Sequence, residues 1–201
     1  MITIPHIYIS YDEVLTRLGY SKSKTKMDAD TAAAIKDNIS IADKLLKPKM
    51  VLAYTEISLK NDIVFLENAF KIESADIAKL LKDCFMVYGI AVTIGADIEN
   101  KRDDFLSKKE TFNALILDSC GSVAAEAFIR DAYNQIHNIE KSKGNTLTKR
   151  YSCGYGDWRL EGQKDFLNWL GADKISINLT DGYMMKPEKS ISALIGVKKA
   201  E

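Results

Sequence analysis

The chain has 201 residues, of which 46% are hydrophobic, with 28 lysines and arginines balanced by 28 aspartates and glutamates. This length and hydrophobic content predict one domain with one buried core, spanning residues 1–201. Because the net charge is zero, the molecule as a whole has no field that would attract nucleic acid or an anionic membrane. The longest apolar runs, such as residues 85–92, are shorter than a membrane span, and no leader is recognisable. We therefore expect a cytoplasmic protein that binds neither nucleic acid nor membrane.

Cysteines and histidines are few and widely spaced. The three cysteines form no Cys-x-x-Cys pair, and the two histidines, His6 and His137, are far apart in sequence. This spacing predicts no metal site and no disulfide. Cys84 and Cys120 are expected to be small buried side chains. Sequence spacing alone does not show that Arg150 contacts Cys153, so we predict no catalytic thiol. Because no other nucleophile-base pair is recognisable, we predict no catalytic residue.

The first quarter of the chain predicts a strand followed by two helices. Residues 2–10 alternate apolar and polar side chains, which favours a strand, and a proline confines it to a sheet edge. Ser10 can cap a following helix that Gly19 closes. Residues 21–28 are polar and basic and are expected to form a solvated loop. Helical spacing of apolar residues then predicts a helix over 30–47, which Pro48 ends.

The middle of the chain predicts a hairpin, a central strand and two helices. Residues 51–59 and 63–72 are rich in strand-forming side chains and are joined by a short polar turn. A short helix over 74–82 follows. Residues 85–95 are β-branched and aromatic, which is typical of a central strand covered on both faces. Helices are predicted over 96–108 and 110–139.

The last quarter predicts a helix over 164–172 and strands over 175–180 and 190–197. Strands joined by both short and long connections favour an α+β domain. We therefore predict a single domain with a largely antiparallel, twisted sheet flanked by helices.

An arginine and a glycine-tyrosine pair lie close together in the segment RYSCGY. A guanidinium can hold a carboxylate through two hydrogen bonds, and Gly154 would let backbone and ligand come close. The combination suits an amino-acid-like ligand. The alternatives remain open, and by residue type they are the commoner outcomes: Arg150 can pair with a surface acid, and Tyr155 can be a core aromatic.

Glu126 lies among small residues on the predicted helix 110–139. A carboxylate on an apolar face needs a donor, which could be a ligand amine or a ribose hydroxyl. The simpler hypothesis is an ion pair with Arg130, one helical turn away. A glycine costs ~1 kcal/mol in a helix interior, so the small residues 119–127 indicate a close approach by a neighbour. Tight packing of this helix against the sheet is the favoured explanation.

Three segments together resemble a known family. They are ALILDSCGSVAAEAF (114–128), RYSCGY (150–155), and LTDGYMMKP (179–187) with SIS (190–192). In this order and spacing they resemble the activation domain of cobalamin-dependent methionine synthase and its free-standing relatives. The resemblance implies that Arg150 grips the carboxylate of S-adenosylmethionine, that Ser152 and Cys153 offer backbone near the adenine, and that Gly154 belongs to the same binding segment. It also implies that Glu126 and Tyr155 line the same pocket, and that Met184, Met185 and Pro187 shape the adjoining turn.

Proteins of this family hold S-adenosylmethionine over oxidised cobalamin, which an electron, usually from flavodoxin, and the methyl group restore to methylcobalamin. The resemblance therefore implies a module that supports this reductive reactivation in trans. Its partner would be a methionine synthase or another corrinoid protein that carries the cobalamin.

Parts of the family pattern are missing. Gly144 stands where the family has an acid, Asp12 is the only guess for an early ligand-contacting aspartate, and the proline-cysteine-proline turn is absent. A pair of tyrosines expected after SIS also has no counterpart. A second hypothesis therefore stays open, in which the chain docks onto another corrinoid methyltransferase and has lost S-adenosylmethionine binding.

Overall fold

A computed structural model describes residues 2–20, 27–67 and 69–200. Its centre is a six-stranded antiparallel sheet with the strand order β3-β2-β1-β4-β8-β5. These strands are β1 (Lys49–Lys60), β2 (Ile63–Leu66), β3 (Lys71–Glu73), β4 (Met86–Thr93), β5 (Asn145–Leu147) and β8 (Ser190–Lys199). A separate two-stranded ribbon pairs β6 (Asn178–Leu179) with β7 (Met185–Lys186).

Six α-helices flank this sheet in the described part of the chain. They are α1 (Tyr11–Arg17), α2 (Ala29–Leu45), α3 (Ala75–Leu80), α4 (Asp97–Ser107), α5 (Thr111–Ser142) and α6 (Gln163–Leu170). Short 3₁₀ turns, Leu160–Gly162 and Ala172–Ile175, precede and follow α6. The fold class, α+β with an antiparallel sheet flanked by helices, is confirmed.

The central strand β4 divides the core into two clusters. Tyr88, Ile90 and Val92 face the cluster that contains α1, α2, α4 and α5, whereas Val87 and Ala91 face α3 and α6. Every residue of β4 after Met86 is buried, because β1 and β8 pair with its two edges and helices cover both faces. The prediction of a central strand covered on both faces is confirmed.

Capping side chains and a glycine define the ends of α1 and the start of α3. The Ser10 hydroxyl accepts a hydrogen bond from the Glu13 amide at the start of α1, and Gly19 adopts φ +81° after its end, as predicted. The Ser74 hydroxyl accepts from the Ile77 amide at 3.0 Å and caps α3. The predicted loop over 21–28 lies mostly outside the described residues.

The predicted first strand is wrong, because residues 2–10 form no strand. This segment packs along α5, and the Gln135 side chain donates to the Thr3 carbonyl and accepts from the Thr3 amide, both at 2.9 Å. Ile7 and Ile9 are buried there. Their alternation reflects packing on a helix, so it does not place the segment at a sheet edge.

Two other strand predictions need correction. The predicted strand 63–72 is divided into β2 and β3, since the Leu66 amide donates to the Phe70 carbonyl and closes a turn. The predicted strand 175–180 shrinks to β6, because Ser176 has φ +67° and ends the 3₁₀ turn before it. The strands β5 and β7 were not predicted, since two or three residues carry too little pattern.

Helix α5 is long and apolar enough to cross a membrane by length and composition. In this structure it is the main core helix, and 67% of its most apolar window is buried inside the protein. Its small central residues serve close packing. A Cβ on Gly121 would lie 3.0 Å from Ile98 of α4 and 3.2 Å from the aliphatic chain of Lys189. Gly121 therefore allows a close approach by α4 and Lys189, while α5 also packs against β4 and β8 of the sheet, as predicted.

Candidate functional site

A cleft with a volume of about 950 Å³ lies beside the start of β8. Helix α5 contributes Glu126 to it, and the segment after β5 contributes residues 149–153 and Tyr155. Leu160 and Gln163 line it near the start of α6. The ribbon and β8 contribute Met184–Lys186, Glu188 and residues 190–193.

Five of the six predicted site residues line this single cleft. They are Glu126, Arg150, Ser152, Cys153 and Tyr155. Gly154 lies between two of them but does not line the cleft itself. The sequence segments 114–128, 150–155, 179–187 and 190–192 thus converge, although they are far apart along the chain.

Arg150 and Glu126 form an ion pair across the cleft wall. The Arg150 Nη2 donates to the Glu126 Oε2 at 3.2 Å, and the two side chains are 32% and 50% exposed. The predicted pair between Glu126 and Arg130 does not form, because Arg130 bonds Glu13 of α1 instead. The alternative in which Arg150 pairs with a surface acid is therefore observed, and that acid is Glu126, which was itself predicted to line the ligand pocket.

The RYSCGY segment is attached to β8 by hydrogen bonds. The Tyr151 amide and carbonyl pair with those of Leu194 at 3.0 and 2.7 Å, and the Ser152 hydroxyl donates to the Ser192 carbonyl at 2.6 Å. The chain then turns at Gly154, which has φ +87° and whose amide donates to the Trp158 carbonyl at 2.8 Å. A residue with a side chain would be strained in this conformation.

Tyr155 projects into solvent at the rim of the cleft. It is 70% exposed, so the alternative of a core aromatic is wrong. Met184, on the ribbon, is 60% exposed and also lines the cleft. Two large apolar side chains are thus available to a ligand or a partner at the mouth of the cleft.

Cys153 has its side chain in the core. It is 6% exposed, and burial raises the pKa of its thiol to about 12. A thiol with so high a pKa is a poor nucleophile near neutral pH. Cys153 therefore lines the cleft without offering a reactive thiolate near neutral pH.

Gln163, the first residue of α6, was not identified from the sequence. It is 4% exposed and lines the cleft. Its Nε2 donates to the Tyr183 carbonyl at 2.7 Å, and its Oε1 accepts from the Ser192 hydroxyl at 3.4 Å. Gln163 therefore ties the ribbon to β8. The sequence did contain one indication of this role, since Gln163 is a polar residue at the start of a helix that is otherwise rich in core residues.

A charged cluster holds the turn between β7 and β8 against α4 and α5. Arg102 contacts Asp103, Asp118 and Glu188 at 2.9, 3.1 and 2.7 Å, and its side chain is only 18% exposed. Lys189 bonds Asp118 at 2.7 Å and Ser122 at 2.9 Å. The turn includes Pro187, which does not line the cleft, although its carbonyl accepts from the Ser190 hydroxyl.

The charged cluster also lowers the pKa of one of its own carboxyl groups, that of Glu188. The Arg102 hydrogen bond, followed by that of Lys186, lowers the pKa of Glu188 to about 2. Within the described ranges 2–20, 27–67 and 69–200, no group of three or more His, Cys, Asp or Glu side chains could hold a metal ion.

Comparisons with known proteins agree with this architecture. A crystal structure titled as the MetH reactivation domain bound to AdoHcy superposes with a TM-score of 0.71, at 15% sequence identity. The match covers 92% of this chain and 74% of that one. No curated protein sequence matches significantly. The profile of the family described as "Vitamin B12 dependent methionine synthase, activation domain" matches residues 32–200. The chain therefore belongs to the family of vitamin B12-dependent methionine synthase activation domains.

Proposed function

We propose that the cleft binds S-adenosylmethionine or its demethylated form, and that the chain thereby supports reductive reactivation of cobalamin in a methionine synthase acting in trans. The observation that carries this proposal is the convergence of Glu126, Arg150, Ser152, Cys153 and Tyr155 on one cleft. The chain belongs to the activation-domain family, and a structural neighbour in that family is titled as bound to AdoHcy.

The ion pair between Arg150 and Glu126 matches the amino-acid end of such a ligand. A ligand carboxylate can accept hydrogen bonds from the Arg150 guanidinium, while the ligand ammonium donates to the Glu126 carboxylate. The two residues are 3.2 Å apart, so one zwitterion can replace their mutual contact with two contacts of opposite sign. The exchange conserves charge and leaves neither side chain without a partner.

The segment from Ser152 to Tyr155 would accommodate the nucleoside. Ser152 and Cys153 line the cleft, and the chain turns at Gly154 directly after them. The exposed ring of Tyr155 offers an aromatic face at the rim. Because the hydroxyl of Ser152 already donates to β8, backbone recognition is the better fit there.

In this role the chain positions a ligand and leaves the reactive chemistry to the two cofactors. The cobalamin would be carried by the corrinoid partner, with flavodoxin as the candidate electron donor. The exposed side chains of Tyr155 and Met184 beside the cleft offer an apolar margin to that partner.

Calorimetric titration of the full chain with AdoHcy and S-adenosylmethionine tests the proposal. Replacement of Arg150 by alanine removes a hydrogen bond to a charged group, worth about 1.5–3 kcal/mol, so we expect affinity to fall about ten- to hundredfold. The matched control is Arg130→Ala, which removes a surface ion pair one turn from Glu126. Absence of binding heat for the unmodified chain with both ligands would refute the proposal.

A second candidate is a docking module for another corrinoid methyltransferase that no longer binds the nucleoside. The mutual satisfaction of Arg150 and Glu126 favours this candidate, because neither side chain needs a ligand as its partner. It predicts a complex with a purified corrinoid protein whose stability is the same with and without AdoHcy. Gel filtration of the mixture decides between the two, since ligand-dependent association supports the first proposal.

A further inference from the structure

Among the charged residues that line the cleft, both acids have ion-pair partners, whereas one of the bases has none among the described residues. The acids are Glu126 and Glu188, and the bases are Lys149, Arg150 and Lys186. Both acids are already paired. Glu126 bonds Arg150, and Glu188 bonds Arg102 at 2.7 Å as well as Lys186.

Glu188 is held firmly in its pairs. Arg102 is mostly buried, and its hydrogen bond is the main cause of the very low pKa of Glu188. A carboxylate between two cations presents little negative potential to a third positive group. Glu188 therefore cannot compensate a cationic ligand without breaking the contact between the β7–β8 turn and α4.

Lys149 has no ion-pair partner within the part of the chain that the structure describes. It is exposed at the cleft wall beside Arg150. Once a zwitterionic amino-acid end has engaged Arg150 and Glu126, the remaining charges on the lining are Lys149 and the pair of Lys186 with Glu188. The sum of these remaining charges is positive.

From this charge distribution we infer that the cleft takes a net-neutral adenosyl thioether, of the AdoHcy type, at least as tightly as the cationic sulfonium of S-adenosylmethionine. The inference rests on the proposed function and adds the charge class of its ligand. The two nucleosides differ by one methyl group and by the positive charge on sulfur. Among the residues that line the cleft, both carboxylates, Glu126 and Glu188, are already paired with cations.

A site of this kind responds to the ratio of the two nucleosides. The demethylated form stays bound after methyl transfer and competes with fresh methyl donor. Occupancy of the cleft by S-adenosylmethionine, and any reactivation that depends on it, would then decline as the thioether accumulates relative to the sulfonium.

Parallel calorimetric titrations of the full chain with AdoHcy and S-adenosylmethionine, at 20 mM and at 500 mM salt, test the inference. We expect AdoHcy to bind equally or up to about fivefold more tightly at low salt, with the ratio moving towards one at high salt because exposed charges are screened. Lys149→Glu should shift the ratio several-fold in favour of S-adenosylmethionine. Lys44→Glu, on the exposed side of α2, is the control with the same charge change and should leave the ratio unaltered.

The outcomes are distinguishable. If both nucleosides bind and S-adenosylmethionine is the tighter ligand at low salt, the charge inference fails while the proposed function stands. An unchanged ratio in Lys149→Glu also overturns it. If neither nucleoside binds, the proposed function fails and the inference fails with it.

Discussion

The contact between Glu126 and Arg150 changes the interpretation of both residues, because it joins the two charged side chains that were predicted to bind a ligand. They are separated by 24 positions, and Glu126 has a nearer candidate partner in Arg130. The structure instead pairs them with each other at the wall of the candidate ligand cleft. An exposed pair of this kind contributes little to stability, about 0–1 kcal/mol, so its position beside the cleft is the more informative property.

The three thiols give a residue-scale prediction. Burial raises the pKa of Cys84 to about 11 and that of Cys120 and Cys153 to about 12. The thiolate fraction at pH 8 is then lower than that of free cysteine by roughly a hundredfold or more. We expect negligible iodoacetamide labelling of the native chain at pH 8 and rapid labelling of all three in guanidinium chloride, as measured by mass spectrometry. Rapid native labelling of Cys153 would contradict its placement in the core.

At the scale of elements, the contact between β4 and α6 depends on Gly89. A Cβ at this position would lie 2.2 Å from the Trp169 ring and 3.0 Å from Leu170. Trp169 is also packed against Phe70 and Phe166, so its ring has little room to move. The missing side chain of Gly89 therefore sets how closely α6 approaches the sheet.

We expect Gly89→Ala to lower the free energy of unfolding by about 1–3 kcal/mol, the usual cost of overpacking a core. Urea unfolding followed by circular dichroism measures it. Gly182→Ala is the matched control, because its nearest neighbour would be the Thr180 hydroxyl at 3.9 Å. If Gly89→Ala and the unmodified chain were equally stable, α6 would be able to move away from the sheet without a cost in the free energy of unfolding.

The contact between the β7–β8 turn and α4 gives a prediction about pH. Because the pKa of Glu188 is about 2 in the folded chain and near 4.5 when unfolded, its pairing stabilises the fold above pH 4.5. That contribution is lost as the pH falls from about 4.5 to about 2. Glu188 is 38% exposed, so solvent screening limits the effect to about 0.5–1 kcal/mol.

Glu188→Gln should therefore be less stable than the unmodified chain at pH 7, with a difference that shrinks as the pH approaches 2. Urea titrations at pH 7, 4 and 3 measure this difference. Glu161→Gln, at an exposed glutamate, has the same change in charge and should show little effect at any pH. A difference that is independent of pH would mean that the Glu188 carboxylate does not titrate with folding.

At the scale of the whole molecule, ligand binding and folding are coupled. The cleft is built from α5, the segment after β5, the start of α6, the ribbon and β8, so a ligand there contacts elements from both core clusters. A ligand that binds only the folded chain stabilises it by about 2.7 kcal/mol at 100 times its Kd.

For a chain of this length we therefore expect AdoHcy at 100 times its Kd to raise Tm by about 5–10 °C. Differential scanning fluorimetry measures the shift. At the same ligand concentration, Arg150→Ala should show a markedly smaller shift, whereas Arg130→Ala should retain it. An equal shift in both variants would place the ligand outside this cleft.

Much of the secondary structure could be predicted from the sequence, because strong periodicity and helix caps are local signals. The central strand β4, the long helix α5 and the capped helix α1 are examples. Residues 2–10 could not be predicted correctly, since their alternation is equally suited to packing on a helix. The ribbon strands are two residues long, and only their hydrogen-bonded partners define them.

The sequence by itself determined the fold class and the family resemblance, and it singled out Glu126 and residues 150–155. These depend on residue types and their order, which folding does not alter. Only the tertiary structure decided which charges meet. The pair of Arg150 with Glu126, the cluster of Arg102 with Glu188 and the place of Gln163 in the cleft all join distant segments. Such partners are selected by the packing of α4, α5 and β8, and their separation along the chain leaves no local pattern.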